Sequence, residues 1–269
     1  MAKNKGFHVL ILAGSRAGGE PFVRAEGKSL KATLDIAGKP MLGHVLESVA
    51  SWPEATSITI SLPEQAPLAA EAPSLNDLIE KTGTTLIPTS TSPCKSVQLA
   101  MQHLRHALDN QEPVLIVTGD APLLNHDILT EFTSQNNQDF DLIAGITKVD
   151  IVENAYPEVK RTRINLRGGA IGGCNLYMLN NKNSERAIQF WQKLENNRKK
   201  PWRLASSFWM MALYSLRMLT LKKAQKGLSK KAGCRIGFAL LSHPHAGLDV
   251  DKAKDLTLVR KIFKNQAYQ

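Results

Sequence analysis

Cysteine is scarce in this chain, and long apolar runs are missing. Cys94, Cys174 and Cys234 are the only three cysteines in 269 residues. Odd in number and far apart, they supply neither a disulfide framework nor a zinc-ligand spacing, and they suit a reducing, cytoplasmic compartment. The apolar run near the N-terminus, His8 to Ala13, is too short for the core of a secretion signal. Phe208 to Leu219 is interrupted by Arg217 and too short to span a bilayer. Neither Gly-x-Gly-x-x-Gly nor Gly-x-x-x-x-Gly-Lys-Ser/Thr occurs, which excludes the dinucleotide fingerprint and the ATPase phosphate loop. The glycine elbow of α/β-hydrolases is absent too, and so are internal repeats and long low-complexity linkers. His103 with His106, and His243 with His245, lack the carboxylate or cysteine spacing that would complete a metal site; they are expected to be surface or packing histidines.

What is present fits one mid-sized catalytic domain over residues 1–269. Hydrophobic residues make up 43% and charged residues 22%, enough for a large core. Lys and Arg number 34 against 24 Asp and Glu, but the excess is local: residues 182–235 hold 14 Lys and Arg against only Glu185 and Glu195. The rest of the chain is slightly acidic. The same stretch contains Trp191, Trp202 and Trp209 and reads as a basic, aromatic-rich helical insertion. Three readings stay open for it: packed helices with a solvated basic face, a site for an anionic or lipid-linked acceptor, and other partners, an anionic membrane surface among them. No nucleic-acid motif accompanies the basic residues, so no nucleic-acid partner is expected.

Apolar runs predict strands at 8–13, 57–62, 84–88, 113–118, 141–147, 163–166, 174–179 and 235–241. Helices are predicted at 41–50, 74–82, 95–108, 125–135, 183–198, 203–219, 222–231 and 252–264. Their alternation implies an α/β fold with a mainly parallel sheet. Pro63 to Pro73 reads as a surface loop.

Three segments at strand ends carry the chemistry. Leu12-Ala13-Gly14-Ser15-Arg16 follows the first strand. Gly14, Gly18 and Gly19 could bring backbone N–H groups to an anion, with charge from Arg16, Arg24 and Lys28; a mobile surface loop is the other reading. Gly119-Asp120 ends a second apolar strand. A carboxylate there is costly without a positive partner, and Mg²⁺ carried by a nucleoside triphosphate is one candidate; otherwise Asp120 caps the helix that starts near Asn125. Asp249-Val250-Asp251 lies near the C-terminus. Alternation in an extended backbone points both aspartates one way, toward one cation, with Asp251 preferred, Asp249 second, and an N-cap at Asp251 compatible with either. Asp255 reads as an ordinary first-turn acid.

The stretch from Leu12 to Leu42 resembles the N-terminal signature of nucleotidyltransferases with the GT-A-like fold, the group that includes molybdenum-cofactor guanylyltransferase (MobA-like) and cytidylyltransferases. That signature is Leu-Ala-Gly-Gly, then Arg, then a Lys eight positions before the Lys of Gly-Lys-Pro-Leu/Met; here Lys31 stands eight before Lys39, Ser15 replaces the second glycine, and the loop to Leu30 is longer. The resemblance implies a Rossmann-like three-layer α/β/α fold. It further implies that Gly14, Ser15 and Arg16 wrap a triphosphate, that Lys31 neutralises the phosphate under attack, and that Asp120 with Asp251 or Asp249 holds Mg²⁺. Ser96-Val97 matches a pair that contacts the nucleotide, with Ser92 alongside or serving as a helix cap. Gly168 to Asn175 resembles the acceptor-side loop, assigning Gly173 and Asn175 to substrate, or is a glycine hairpin.

The expected activity is Mg-dependent transfer of a nucleotidyl group, from CTP before GTP, to a phosphorylated small-molecule or lipid-linked acceptor with release of pyrophosphate. The expected location is the cytoplasm, including its membrane face. Two rivals are a GT-A glycosyltransferase using a nucleotide sugar and a non-catalytic membrane-surface protein.

Overall fold

The computed structural model describes residues 6–15, 19–107, 112–196 and 218–266. β1 (Phe7–Leu12) is buried along most of its length. It lies between β4 (Ala55–Leu62) and β6 (Val114–Thr118), parallel to both. β5 (Thr85–Pro88) extends the sheet beyond β4. On the other flank β9 (Gly169–Leu179) runs antiparallel to β6 and to β7 (Leu142–Lys148), and β10 (Ile236–Leu241) pairs parallel with β7. The order is β10-β7-β9-β6-β1-β4-β5, with β8 (Ile164–Leu166) paired to β9. The chain leaves β1 toward β4 and β5, then returns to β6 on the opposite side. That reversal makes the carboxyl ends of β1 and β6 the topological switch point, where open α/β sheets take their ligands.

Both faces of the sheet are covered, which is why its strands read as continuous apolar runs. Val9, Ile11, Leu115 and Val117 pack with Leu42, Val45, Leu46 and Val49 of α2 (Met41–Ala50) and with Ile128, Leu129 and Phe132 of α6 (His126–Ser134). The α2 positions fall at i, i+3, i+4 and i+7, one stripe of a helix. Leu10, Val114 and Ile116 face the other way, toward Val97, Ala100 and Leu104 of α5 (Pro93–Ala107) and Ala187 and Ile188 of α8 (Ser184–Asn196). Each fully buried aliphatic side chain contributes about 1.5–3 kcal/mol. α9 (Leu221–Ala232) packs at the edge of this layer. A third cluster joins Val250, Leu256 and Val259 to Leu34, Ile36 and Met41, docking α10 (Ala253–Gln266) beside the hairpin of β2 (Asp35–Ile36) and β3 (Lys39–Pro40).

The remaining helices are α1 (Pro21–Ala25), α3 (Leu68–Glu71), α4 (Pro73–Lys81) and α7 (Val149–Ala155). Of these, only α4 is among the predicted helices. The stretch Pro63 to Pro73, expected as a loop, contains α3, whose Leu68 is buried. β9 starts five residues before the predicted 174 because Gly168 and Gly169, at φ of +109° and +120°, form the turn after β8, so the glycine-hairpin reading of that stretch holds. The predicted helix 203–219 lies almost entirely outside the described residues, as do Trp202 and Trp209. No described helix is long and apolar enough to cross a membrane.

Candidate active site

A cavity of about 550 Å³ opens at the switch point. Leu12, Gly14 and Ser15 line it from the end of β1, Ser61 from β4, and Thr118 and Asp120 from β6. Backbone bonds lock these strand ends together: Ala13 N–H donates to Ser61 at 2.9 Å, Gly119 N–H to Leu12 at 2.8 Å, and Thr89 N–H to Leu62 at 3.0 Å. Gly119 is required for this closeness, because a Cβ there would stand 3.0 Å from Leu42 and 3.1 Å from the Ala13 Cβ. Ala13 and Gly119 thus shape the site from behind, and Leu12, Gly14 and Ser15 face it. Arg16 lies outside the described residues.

Lys31 crosses the cavity from the 3-10 turn Lys31–Thr33. Its ammonium donates to Asp120 Oδ2 at 2.6 Å and stands 3.6 Å from Asp251 Oδ1. Burial would lower its pKa. Attraction to Asp120, the hydrogen bond to it, and the charges of Asp251 and Glu20 outweigh burial and hold Lys31 above its usual value, firmly protonated. The turn is tied down by Glu71, whose carboxylate accepts from Ser29 N–H at 3.0 Å and from the Thr33 hydroxyl at 2.6 Å. Lys28, expected to face the phosphates, instead donates to the Glu71 carbonyl at 2.6 Å.

Asp120 does not cap the following helix. Asn125 does, accepting from Ile128 N–H at 3.0 Å. Val250 N–H donates to the Asp120 carbonyl at 2.9 Å, which brings the C-terminal segment against the end of β6 and sets Asp251 at the cavity. Asp255 reaches back to the N–H groups of Asp251 and Lys252 at 3.0 and 2.9 Å, the first-turn acid expected of it. At the mouth of α5, Ser92 accepts from Lys95 N–H at 3.3 Å as a cap, and Ser96 accepts from Ser90 N–H at 2.8 Å. Both serines also line the cavity.

Asp249 sits elsewhere. It is paired through Oδ1 with Arg161, and its Oδ2 accepts from the Asn175 amide at 2.8 Å. Burial pushes its carboxyl pKa up, Arg161 opposes this, and Asp120 and Asp251 add to the rise. Of the three aspartates expected at a metal, Asp120 and Asp251 therefore line the cavity and Asp249 does not. Gly173 pairs with Ile146 in the β7–β9 ladder. The three cysteines are buried and form no disulfide; burial pushes the Cys174 thiol up to about 12, which makes it a poor nucleophile.

Two acids that the sequence did not flag also line the cavity: Glu20 and, from the far end of α8, Glu195. Nothing in their local sequence distinguishes them. Ser61 and Thr118, by contrast, follow from the strand-end rule that found Gly14 and Asp120. Side-chain oxygens of Glu20, Ser61, Thr118, Asp120 and Glu195 are buried here without a hydrogen-bond partner. Four carboxylates thus face one described ammonium, and a polyanionic triphosphate could enter only with added positive charge. That donor set fits Mg²⁺ held by one or two carboxylates and completed by phosphate oxygens. Among the described residues, no three His, Cys, Asp or Glu side chains group closely enough to hold a metal alone.

The family model described as MobA-like NTP transferase domain matches residues 9–154. A hypothetical transferase from Thermus thermophilus superposes with a TM-score of 0.74 at 23% identity, covering 93% of this chain and 99% of that one. CMP:2-keto-3-deoxy-manno-octonic acid synthetase complexed with CTP gives 0.54 at 16% identity, covering 97% and 99%. 4-Diphosphocytidyl-2C-methyl-D-erythritol synthase from Anaerococcus prevotii DSM 20548 gives 0.55 at 13% identity, with the same coverages. These likenesses establish the fold, including the strands beyond residue 154. No functionally curated protein matches.

Proposed function

Since the chain belongs to the MobA-like NTP transferase family and is a nucleotidyltransferase, we propose that it transfers a nucleotidyl group, from CTP in preference to GTP, to a phosphorylated small-molecule or lipid-linked acceptor. The observation that carries this reading is the convergence of Lys31, Asp120 and Asp251 at the switch-point cavity. An anionic oxygen of the acceptor attacks the α-phosphorus in line. The bond from that phosphorus to the α–β bridging oxygen breaks, and pyrophosphate leaves. An attacking phosphate is already ionised at neutral pH, so no general base is required. Lys31 remains protonated and donates to oxygens of the α-phosphate and the leaving group as charge develops there. Asp120 and Asp251 would hold Mg²⁺, which when bound neutralises phosphate charge. Gly14, Ser15 and Arg16 would contact the phosphates, with Ser92 and Ser96 on the other wall.

The preference for CTP rests on the Asp249-Val250-Asp251 ending and on the CTP bound to the 2-keto-3-deoxy-manno-octonic acid synthetase of the same fold. We place the enzyme in the cytoplasm as a single catalytic unit with a basic insertion at about 182–235. The lipid-linked acceptor and the anionic membrane surface rest on the basic, tryptophan-containing stretch 198–217, outside the described residues. Flotation with anionic vesicles at low and high salt tests them. The reaction itself is tested by a pyrophosphate-release screen of the four nucleoside triphosphates against phosphorylated sugars, polyols and amino-alcohols. Release with CTP and one acceptor class is expected; no release with any pair would contradict the proposal.

A further inference from the structure

α8 reaches the nucleotide cavity from outside residues 9–154, the span that the family model matches. It packs along α5, where the Gln98 amide donates to Gln192 at 3.5 Å. From that contact Glu195 lies about one turn further along α8, and Ser96 lies just before Gln98 on α5. Both line the cavity, together with Ser90, Thr91 and Ser92, so the two helix ends build one wall. Of the four acids at the cavity, Asp120, Asp251 and Glu20 are the ones whose charge acts on Lys31, which sets Glu195 apart from the phosphate end. With the phosphates at Lys31, Gly14 and Ser15, the wall of α5 and α8 is left to face the base.

That wall carries donors on one helix and an acceptor on the other. Ser96 is buried, and its Oγ accepts from Ser90 N–H at 2.8 Å, so its own proton is left to donate. The Ser92 Oγ is engaged in the same way by Lys95 N–H. Glu195 offers the opposite character: a carboxylate only accepts, and its Oε2 is buried without a hydrogen-bond partner. An unsatisfied buried acceptor is costly, and a donor on the ligand removes that cost. Cytosine presents two acceptors, O2 and N3, and one donor, its 4-amine. Uracil carries an acceptor, O4, where cytosine has the amine. Hydroxyl donors beside a single carboxylate complement the first edge and oppose the second.

We propose that Glu195 is a specificity-determining residue, whose carboxylate accepts from the 4-amine of cytosine and repels O4 of uracil. This rests on the nucleotidyl-transfer reading above and on its preference for CTP. It gives the buried, unpartnered oxygen of Glu195 a partner and makes α8, an element beyond the matched family segment, part of nucleotide selection.

The test is calorimetric titration of the full chain with non-hydrolysable analogues of CTP, UTP and GTP in the presence of Mg²⁺. The wild type should bind the CTP analogue about tenfold to a hundredfold more tightly than the UTP analogue. Glu195→Gln can turn an N–H toward O4 as readily as an oxygen toward the amine, so this preference should shrink to within about threefold, chiefly through tighter UTP binding. A carboxylate with a purely structural role would give no such gain. On the wild type itself, a CTP analogue whose 4-amine is replaced by hydrogen should bind about tenfold more weakly, a result independent of how any variant folds. An unchanged CTP-to-UTP ratio in Glu195→Gln, an equal loss of both nucleotides, or full affinity for the amine-free analogue would overturn the proposal alone. A wild type that prefers UTP or GTP would overturn the CTP preference and this proposal with it. One that binds none of the triphosphates would overturn the nucleotidyl-transfer reading.

Discussion

Replacing Asp120 by asparagine keeps the side chain's shape and removes its charge. Its Oδ2 accepts from Lys31 at 2.6 Å, and its Oδ1 is buried without a partner. Two unit charges about 3 Å apart attract by roughly 5 kcal/mol at an effective dielectric of about 20, but desolvation of both groups offsets most of this. Lys31 also keeps Asp251 at 3.6 Å and the nearby charge of Glu20. The net stability cost should be only about 1–2 kcal/mol, a fall of roughly 2–8 °C in melting temperature for a chain of this size. Ligand binding should suffer more specifically. A charge-assisted contact to the cation that accompanies the triphosphate is worth about 1.5–3 kcal/mol, so the Mg²⁺-dependent part of triphosphate affinity should weaken roughly tenfold to a hundredfold. Calorimetric titration of a non-hydrolysable CTP analogue with and without Mg²⁺, beside a thermal melt, reads both effects. A variant that melts near the wild type and keeps its Mg²⁺-dependent gain within about twofold would remove Asp120 from the cation site.

Lys31→Met should lower turnover by about 10²–10³ while changing triphosphate affinity less, because its donor acts mainly on charge that develops in the transition state; single-turnover kinetics separates the two. Glu71→Gln should loosen the turn that carries Lys31 and reduce turnover by roughly three- to tenfold with little change in KM. Burial pushes the Glu71 carboxyl up, but hydrogen bonds from Thr33 and Ser29 and the charge of Lys28 bring it below its ordinary value. Its stabilisation is therefore present above the unfolded pKa and lost as pH falls through the folded one, so acid should unfold Glu71→Gln with a shallower pH dependence than the wild type. His8 and His245 are held neutral, each down to about 4, chiefly by burial. The unfolded chain then binds more protons between about pH 6.5 and 4, and stability should fall across that window by on the order of 2–3 kcal/mol per histidine. Urea midpoints at pH 7, 5.5 and 4.5 check this, and His8→Gln should flatten the slope.

The strands were legible because a sheet covered on both faces demands unbroken apolar runs, and these end at Gly14 and Gly119, where the site lies. α2 was legible from its stripe of Leu42, Val45, Leu46 and Val49. The short pieces were not. β2 and β3 have two residues each and α1 has five, too few for a period of two or 3.6 to register. Lys31, Asp120 and Asp251 could be read because each belongs to a motif at a strand or helix end. Glu20 and Glu195 could not, since only the folded chain carries them to the cavity. Asp249 shows the same limit: alternation put it on the side of Asp251, but Arg161, contributed from just before β8, determines what it faces.

Attack at the α-phosphorus fixes the path of one oxygen atom. CTP labelled with heavy oxygen in the α–β bridge would be turned over by the wild type with the acceptor found in the pyrophosphate screen, and the products weighed by mass spectrometry. The label should leave entirely in pyrophosphate, and the nucleotidyl product should carry none. Label retained in the nucleotidyl product, or orthophosphate released in place of pyrophosphate, would contradict it.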